Sequence, residues 1–490
     1  MSCTTILAGK NATYNGSTMI ARNDDCAAGS YTPKHLKVVE PKELGKTYKP
    51  VISDAEIPLS GGAMRFMCVP NAEPDLSDEG IWAAAGVNEK NISMTATETI
   101  TSNERVLAAD PLWETYEKDG HERARGGIGE EDLVWLVLPY IKSAREGVIR
   151  VGELLKKYGT YEMNGMAFSD EDEIWWLETI GGHHFIAKRV PDDAVVIMPN
   201  QFGLDRFDFD DAFGDQTDHI CSPDMMDFIR DNNLGLSTPF NPRDAFGSHD
   251  DADHVYNTPR AWFMGRYLCP KSFKWDGEGA DFTPYSDDIP WCVVPEKLLT
   301  PEDVKYLLSS HYQGTPYDPY LSYGDKSMSG AFRSIGVNRT SFMSLSEIRQ
   351  DKEVLFEICF GSNVFNAMIP LYANVKSVPG YFAFTPEKPD TDSFYWMNRM
   401  IAALADASYK TSLNHIERYQ LDVQSKCKGV IVKYDKLIAG EKTAAKKRAL
   451  MEKANEEIAA ITLEKTRDLL DKTLYEASNI MKNSYARSDA

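Results

Sequence analysis

Cys3-Thr4-Thr5-Ile6-Leu7-Ala8 and Ser17-Thr18-Met19-Ile20-Ala21-Arg22-Asn23-Asp24-Asp25 flank the turn signal Asn15-Gly16. Two β-branched runs either side of a turn predict an antiparallel hairpin. Its register is open: a two-residue turn sets Arg22 opposite Gly9, and a loop from Gly9 to Gly16 sets it opposite Cys3. The chemistry of the hairpin lies at its far end. Cys3 fits a small buried residue at a strand edge, and it equally fits a nucleophile exposed at a processed N-terminus. A free α-amine titrates at about 7.7–8.0 and a thiol at about 8.5, so the amine can accept the thiol proton and one residue supplies nucleophile and base. An Arg beside the sulfur favours the thiolate, and an Asp nearby can hold the α-ammonium. Arg22 and Asp25 supply those types, although a surface ion pair is their usual fate.

Outward from the hairpin the chain runs to 490 residues with 53 Lys+Arg against 74 Asp+Glu, a net charge of −21. Its 42% hydrophobic and 26% charged residues are ordinary globular usage, which excludes a disordered chain. The negative balance argues against nucleic-acid binding, because phosphate contacts need a basic surface. No apolar run is long enough for a membrane span, and the N-terminus lacks the basic and apolar regions of a signal peptide. Eight cysteines stand singly with no Cys-x-x-Cys pair, so neither a zinc site nor a redox motif is signalled. Free thiols in a reducing cytoplasm are expected.

A second hairpin is predicted at Ile81–Thr97 around Asn88-Glu89-Lys90-Asn91. Residues 30–78 read mostly as loop with short strands. Residues 130–158 read as helix, divided near Pro139 and stopped at Gly159. Short apolar runs from Gly165 to Met198, parted by tight polar turns, predict an antiparallel meander ending at Pro199-Asn200. Residues 393–420 are predicted helical. In 441–485 two stripes recur at helical spacing: Leu450, Ala454, Ile458, Ile461, then Leu470, Leu474, Ala477, Met481. One helix of that length spans roughly 65 Å, against a radius of gyration of about 23 Å for the whole chain, so two helices or an arm to a neighbouring subunit is expected. His183-His184, on one strand, should face opposite ways and share no metal. The acidic loops at 205–218 and 249–254 lack the spacing and glycine of a calcium loop and read as solvated. Nine His residues leave room for a Cys/His pair, without a local signature for one.

The motifs resemble a known family. Cys-Thr-Thr-Ile-Leu, then Gly-Ser-Thr-Met-Ile-Ala-Arg-Asn-x-Asp and Gly-Val-Asn-Glu-Lys, are similar to the dipeptidase A family of cysteine dipeptidases. These belong to the N-terminal nucleophile hydrolase superfamily and are related to secernins, penicillin V acylase and conjugated bile acid hydrolase. His311-Tyr312-Gln313-Gly314-Thr315-Pro316-Tyr317-Asp318 and Arg333-Ser334-Ile335 resemble the family too. The likeness runs from Cys3 to about Tyr434. It implies an α+β fold, a four-layer αββα sandwich of two antiparallel sheets with a C-terminal helical extension. The expected division is a catalytic domain over 3–440 and a helical segment over 441–490.

The resemblance implies Cys3 as nucleophile, with Arg22 and Asp25 as the Arg and Asp of an Arg-x-x-Asp block. Asn200 matches an oxyanion-stabilising Asn, and Arg260 in Asn257-Thr258-Pro259-Arg260 matches an Arg of the related acylases. Where those acylases carry a further Asn, this chain has Glu98, which we read as binding the α-ammonium of a dipeptide. Ser2 precedes the nucleophile, so amine-assisted catalysis requires loss of Met1-Ser2; Ser2 itself is a minor alternative nucleophile. The implied activity is hydrolysis of dipeptides with no cofactor and no metal, in a cytoplasmic homo-oligomer. The alternatives are an N-acyl amide hydrolase and a non-enzymatic secernin-like binding protein.

Overall fold

A computed structural model describes residues 3–72, 82–118 and 120–482. Two antiparallel sheets carry the chain. The seven-stranded sheet has the order Cys292–Val293, Val195–Met198, Thr4–Ala8, Thr18–Asp25, Thr340–Ile348, Leu355–Phe360, Ile369–Tyr372. The eight-stranded sheet has the order His219–Cys221, His184–Arg189, Ile174–Ile180, Asn164–Ser169, Ser93–Thr99, Ala83–Asn88, Phe66–Pro70, Lys37–Val39.

Strand alternation explains how the first hairpin serves two layers. Ile6, Ala8, Met19 and Ala21 pack outward with Trp262, Met264 and Leu307 of the helices Thr258–Leu268 and Pro301–Leu308. Leu7 and Ile20 pack the other way, against Ala167, Trp176 and Ile186 of the second sheet. Both faces of these strands are buried, so Ile6–Ala8 and Met19–Ala21 read as continuous apolar runs rather than alternating ones, and the polar residues Arg22–Asp25 are buried as well.

Helices Glu130–Val137 and Ala144–Tyr158 cover the outer face of the eight-stranded sheet, where Val148, Val151 and Leu155 meet Phe168, Trp175 and Leu177. Pro139 falls in the short 3₁₀ turn that divides them. At the far end of the seven-stranded sheet, Phe356 and Leu371 share a core with helices Phe394–Ala407, Tyr409–Ala439 and Ala444–Asn479. That core runs across residue 440, and includes Met451, Ala454 and Ile458.

Three local expectations change. The first hairpin pairs Thr5 with Arg22, because a 3₁₀ turn at Lys10–Ala12 occupies part of the connection. This differs by two residues from the long-loop register, so Arg22 keeps the face of Cys3. The last strand of the meander, Val195–Met198, leaves its neighbours and joins the other sheet beside Thr4–Ala8, with Thr5 opposite Met198. The C-terminal tail is one helix of 36 residues, about 54 Å long, lying against its own chain. A helix on the outside of a domain needs the domain's diameter, not its radius of gyration.

The second stripe of that helix is also corrected. Leu474 and Met481 are exposed, and the buried line continues through Thr462, Thr466, Leu469 and Thr473. Each threonine hydroxyl donates to the carbonyl four residues back, which satisfies it inside an apolar seam. None of the helices is long and apolar enough to cross a membrane, among the described residues.

Candidate active site

Cys3 immediately precedes the first strand and its side chain is fully buried. Arg22 is also buried, on the face that looks at the second sheet. Its Nη2 donates to Cys3 Sγ at 2.6 Å. Its Nη1 donates to the carbonyls of Ala96 and Ala84 on the facing sheet, the latter at 3.4 Å, so one guanidinium ties the sulfur to both sheets. Asp24, on the same strand face, stands 3.5 Å from Arg22 Nη2 and 2.7 Å from Lys34 Nζ. Burial would raise the Asp24 carboxyl, but the Lys34 and Arg22 charges outweigh it and hold it below the ordinary range.

The backbone of Cys3 is pinned from the outer side. Arg260, buried in the first turn of its helix, donates through Nη1 to the Cys3 carbonyl and to Thr4 Oγ1 at 2.6 Å. Its Nη2 donates to Asn200 Oδ1 at 2.8 Å and to Asn257 Oδ1. Asn200 Nδ2 donates to Thr99 O at 3.1 Å, and Asn257 Nδ2 donates to Asn200 O at 3.0 Å. The crossing of Val195–Met198 into the first sheet is what delivers Asn200 here.

Cys3, Arg22, Asn200 and Arg260 therefore meet. Asp25 lies on the opposite face of its strand from Arg22. Its carboxylate accepts from Arg333 Nη2 and from Thr340 Oγ1 at 2.5 Å. The backbone of Glu98 pairs with Gly165 at a bulge, and its side chain lies outside the described residues, as do Met1 and Ser2. Asp24, Lys34, Asn257 and Arg333 belong to this network and were not assigned from sequence. Arg333 had a signal in the block Arg333-Ser334-Ile335; Lys34, ten residues beyond Asp24 in a loop, had none.

Two cavities lie outside this cluster. One of about 810 Å³ is lined by His311, Tyr320, Phe365 and Tyr409, with His311 Nδ1 2.8 Å from Asp318 Oδ1. One of about 100 Å³, lined by Gln201, Phe202, Asp253 and His254, borders the Asn200–Asn257 side. His183 lies in the turn before its strand, so alternation does not separate it from His184. Both Nδ1 atoms meet the Asp110 carboxylate, at 2.8 and 2.6 Å. In the loop at 205–218 Asp211 accepts from the backbone N–H groups of Thr217, Asp218 and His219, an internal cap. Among the described residues no group of three or more His, Cys, Asp or Glu is placed to hold a metal.

A thiol held against a guanidinium is stabilised as thiolate, the form that attacks carbonyl carbon. A thiol so placed has the chemistry that thiol-dependent hydrolysis uses. The family model of peptidase family C69 matches residues 2–422, and the chain belongs to that family. It is 48% identical, over 535 aligned positions covering both chains in full, to a protein of Bifidobacterium longum (strain NCC 2705) named dipeptidase. It is 47% identical to a probable dipeptidase A of Streptococcus pyogenes serotype M18, over 100% of this chain and 98% of that one. It is 40% identical to dipeptidase A of Lactobacillus helveticus, over 99% and 98%.

Proposed function

We propose that this chain is a cysteine dipeptidase with the N-terminal nucleophile hydrolase fold, a four-layer αββα sandwich. The observation that carries it is the 2.6 Å contact of Arg22 Nη2 with Cys3 Sγ at the start of the first strand. Full-length relatives with dipeptidase names support the substrate class. Residues 3–440 form the catalytic unit in this proposal and 441–490 its helical buttress. A cytoplasmic location follows the sequence reading, in which eight cysteines stand singly with no Cys-x-x-Cys pair. Exposed Leu421, Val432, Leu474 and Tyr475 on the helical pair support assembly with further copies.

In the proposed mechanism, loss of Met1-Ser2 frees the Cys3 α-amine, which takes the thiol proton. Sγ attacks the peptide carbonyl and forms a C–S bond. The Asn200 amide and a backbone N–H hold the oxyanion, where one donor typically accounts for about 10²–10³ in rate. The C–N bond breaks as the α-ammonium protonates the leaving amine. Water then attacks the thioester with the amine as base, and the thiol leaves. Arg260 fixes the nucleophile's backbone, Asp25 braces the strand end through Arg333 and Thr340, and Glu98 takes the substrate's α-ammonium. The reaction needs no cofactor.

The test is the Cys3→Ala variant with intact-mass analysis of the wild type. Dipeptide hydrolysis should vanish in the variant, and the wild-type mass should lack Met1 and Ser2. Activity in Cys3→Ala ends the proposal. A panel of dipeptides with free α-amines against N-acyl amino acids separates the dipeptidase from an acylase, and retained Ser2 without turnover points to a secernin-like protein.

A further inference from the structure

Lys34 is 2% exposed and lies in a loop, an expensive place for an ammonium unless it is paired. Its Nζ sits 2.7 Å from Asp24 Oδ2, and the Phe342 ring lies 5.5 Å away. The other Asp24 oxygen, Oδ1, is 3.5 Å from Arg22 Nη2, the same nitrogen that reaches Cys3 Sγ at 2.6 Å. Two acceptors therefore approach one guanidinium nitrogen. A carboxylate ordinarily draws a guanidinium in close, because a charge-assisted N–H···O bond is shorter and stronger than one to sulfur. Here Asp24 stands closer to Lys34, and the guanidinium lies nearer the sulfur.

We propose that Lys34 is a positioning residue for the thiol: by holding Asp24 it keeps that carboxylate from capturing Arg22, so that Arg22 remains on Cys3 Sγ. This rests on Cys3 being the nucleophile. Among the described side chains, the charged groups around the sulfur are Arg22 and Asp24 of its own hairpin, Lys34 of the loop beyond and Arg260 of the outer helix; Glu98, proposed above to take the substrate's α-ammonium, adds a carboxylate from the facing strand. The facing strands present the carbonyls of Ala84 and Ala96. In the processed chain the α-amine of Cys3 joins them.

The experiment uses the full-length, processed protein and the pH profile of kcat/KM on a dipeptide. Lys34→Met leaves Asp24 with Arg22 alone. The ascending limb should move up by about one to two pH units, a roughly 10- to 100-fold loss at the acid end. A crystal structure of that variant should show Arg22 Nη2 moved from the sulfur onto Asp24. Lys34→Arg, which keeps the charge, should hold the limb near its wild-type position. The double variant Asp24→Asn, Lys34→Met leaves no buried charge unpaired and should regain most of the loss. It also serves if Lys34→Met does not fold.

A limb unmoved in Lys34→Met, or raised equally in the double variant, overturns the inference. So does a moved limb with the guanidinium still on the sulfur, which would be a through-space charge effect. Those outcomes differ from failure of the dipeptidase proposal, in which the wild type itself has no Cys3-dependent turnover.

Discussion

The same two strands, on the same face, do opposite things along their length. At one end Leu7 and Ile20 pack with Trp176, Ile186, Val196 and Met198 into a dry layer between the sheets. At the other end the same layer holds Cys3, Arg22, Asp24 and Lys34. Ile20 and Arg22 are two residues apart, so the change from packing to chemistry takes one strand repeat. Both ends are equally buried. The difference is that the described charges Arg22, Asp24 and Lys34 at the polar end each have a named partner, and burial strengthens each pairing. The site is thus a polar network built into the sandwich, braced by a packed half that sets the sheet spacing.

The sharpest way to break this contrast is Arg22→Met. If the polar end works through the thiolate, kcat/KM on a dipeptide falls on the order of 100-fold at neutral pH and its ascending limb moves to higher pH. Kinetics across pH 5–9 check this. An unmoved limb with a lowered melting temperature would mean that Arg22 packs, as Ile20 does.

The two ends also differ in how legible they were from sequence. The β-branched runs disclosed the hairpin, and the shared face of Cys3 and Arg22 survived a register two residues off, because side-chain direction has a period of two. The network around them was not legible. Asp24 meets Lys34 across a loop, and Asp25 meets Arg333 from 308 residues away. Sequence patterns report local periodicity, and these pairings are set by tertiary approach. The meander was legible strand by strand, but nothing in Val195–Met198 says which sheet it joins. The tail helix misled for a related reason: Thr462, Thr466 and Thr473 are buried polar residues that bond to their own helix, so the apolar stripe broke where the buried stripe did not. The family resemblance supplied Asn200 and Arg260, which spacing alone does not connect to Cys3.

The packed end makes the opposite prediction. Ile20→Ala removes a fully buried side chain and should cost about 2–4 kcal/mol in urea unfolding. The ascending limb of kcat/KM should not move, since no charge near the sulfur changes. A shifted limb would show that the packed half sets the thiol's environment as well as the sheet spacing.

Glu178 makes the smallest test, because it places a carboxyl in the dry half. It shares a strand face with Trp176, is fully buried, and accepts from Trp176 Nε1 at 3.0 Å, Gly203 N at 2.7 Å and Leu204 N at 3.2 Å. Those bonds anchor the turn just after Asn200. Burial raises its carboxyl to about 7, although the three hydrogen bonds and Arg243 pull the other way. A folded-state value above the unfolded one means that the folded protein binds the proton more tightly. The stabilisation is complete below the unfolded value of about 4.5 and is lost as pH rises through 7. Glu178→Gln keeps an acceptor for those donors and cannot ionise. Relative to wild type it should gain stability between pH 5 and pH 8, by up to about 3 kcal/mol from a shift of that size. Urea midpoints of both proteins at the two pH values measure it. Equal differences at pH 5 and 8 would show that Glu178 ionises in the folded layer at no cost, and that the packed half is less dry than its side chains imply.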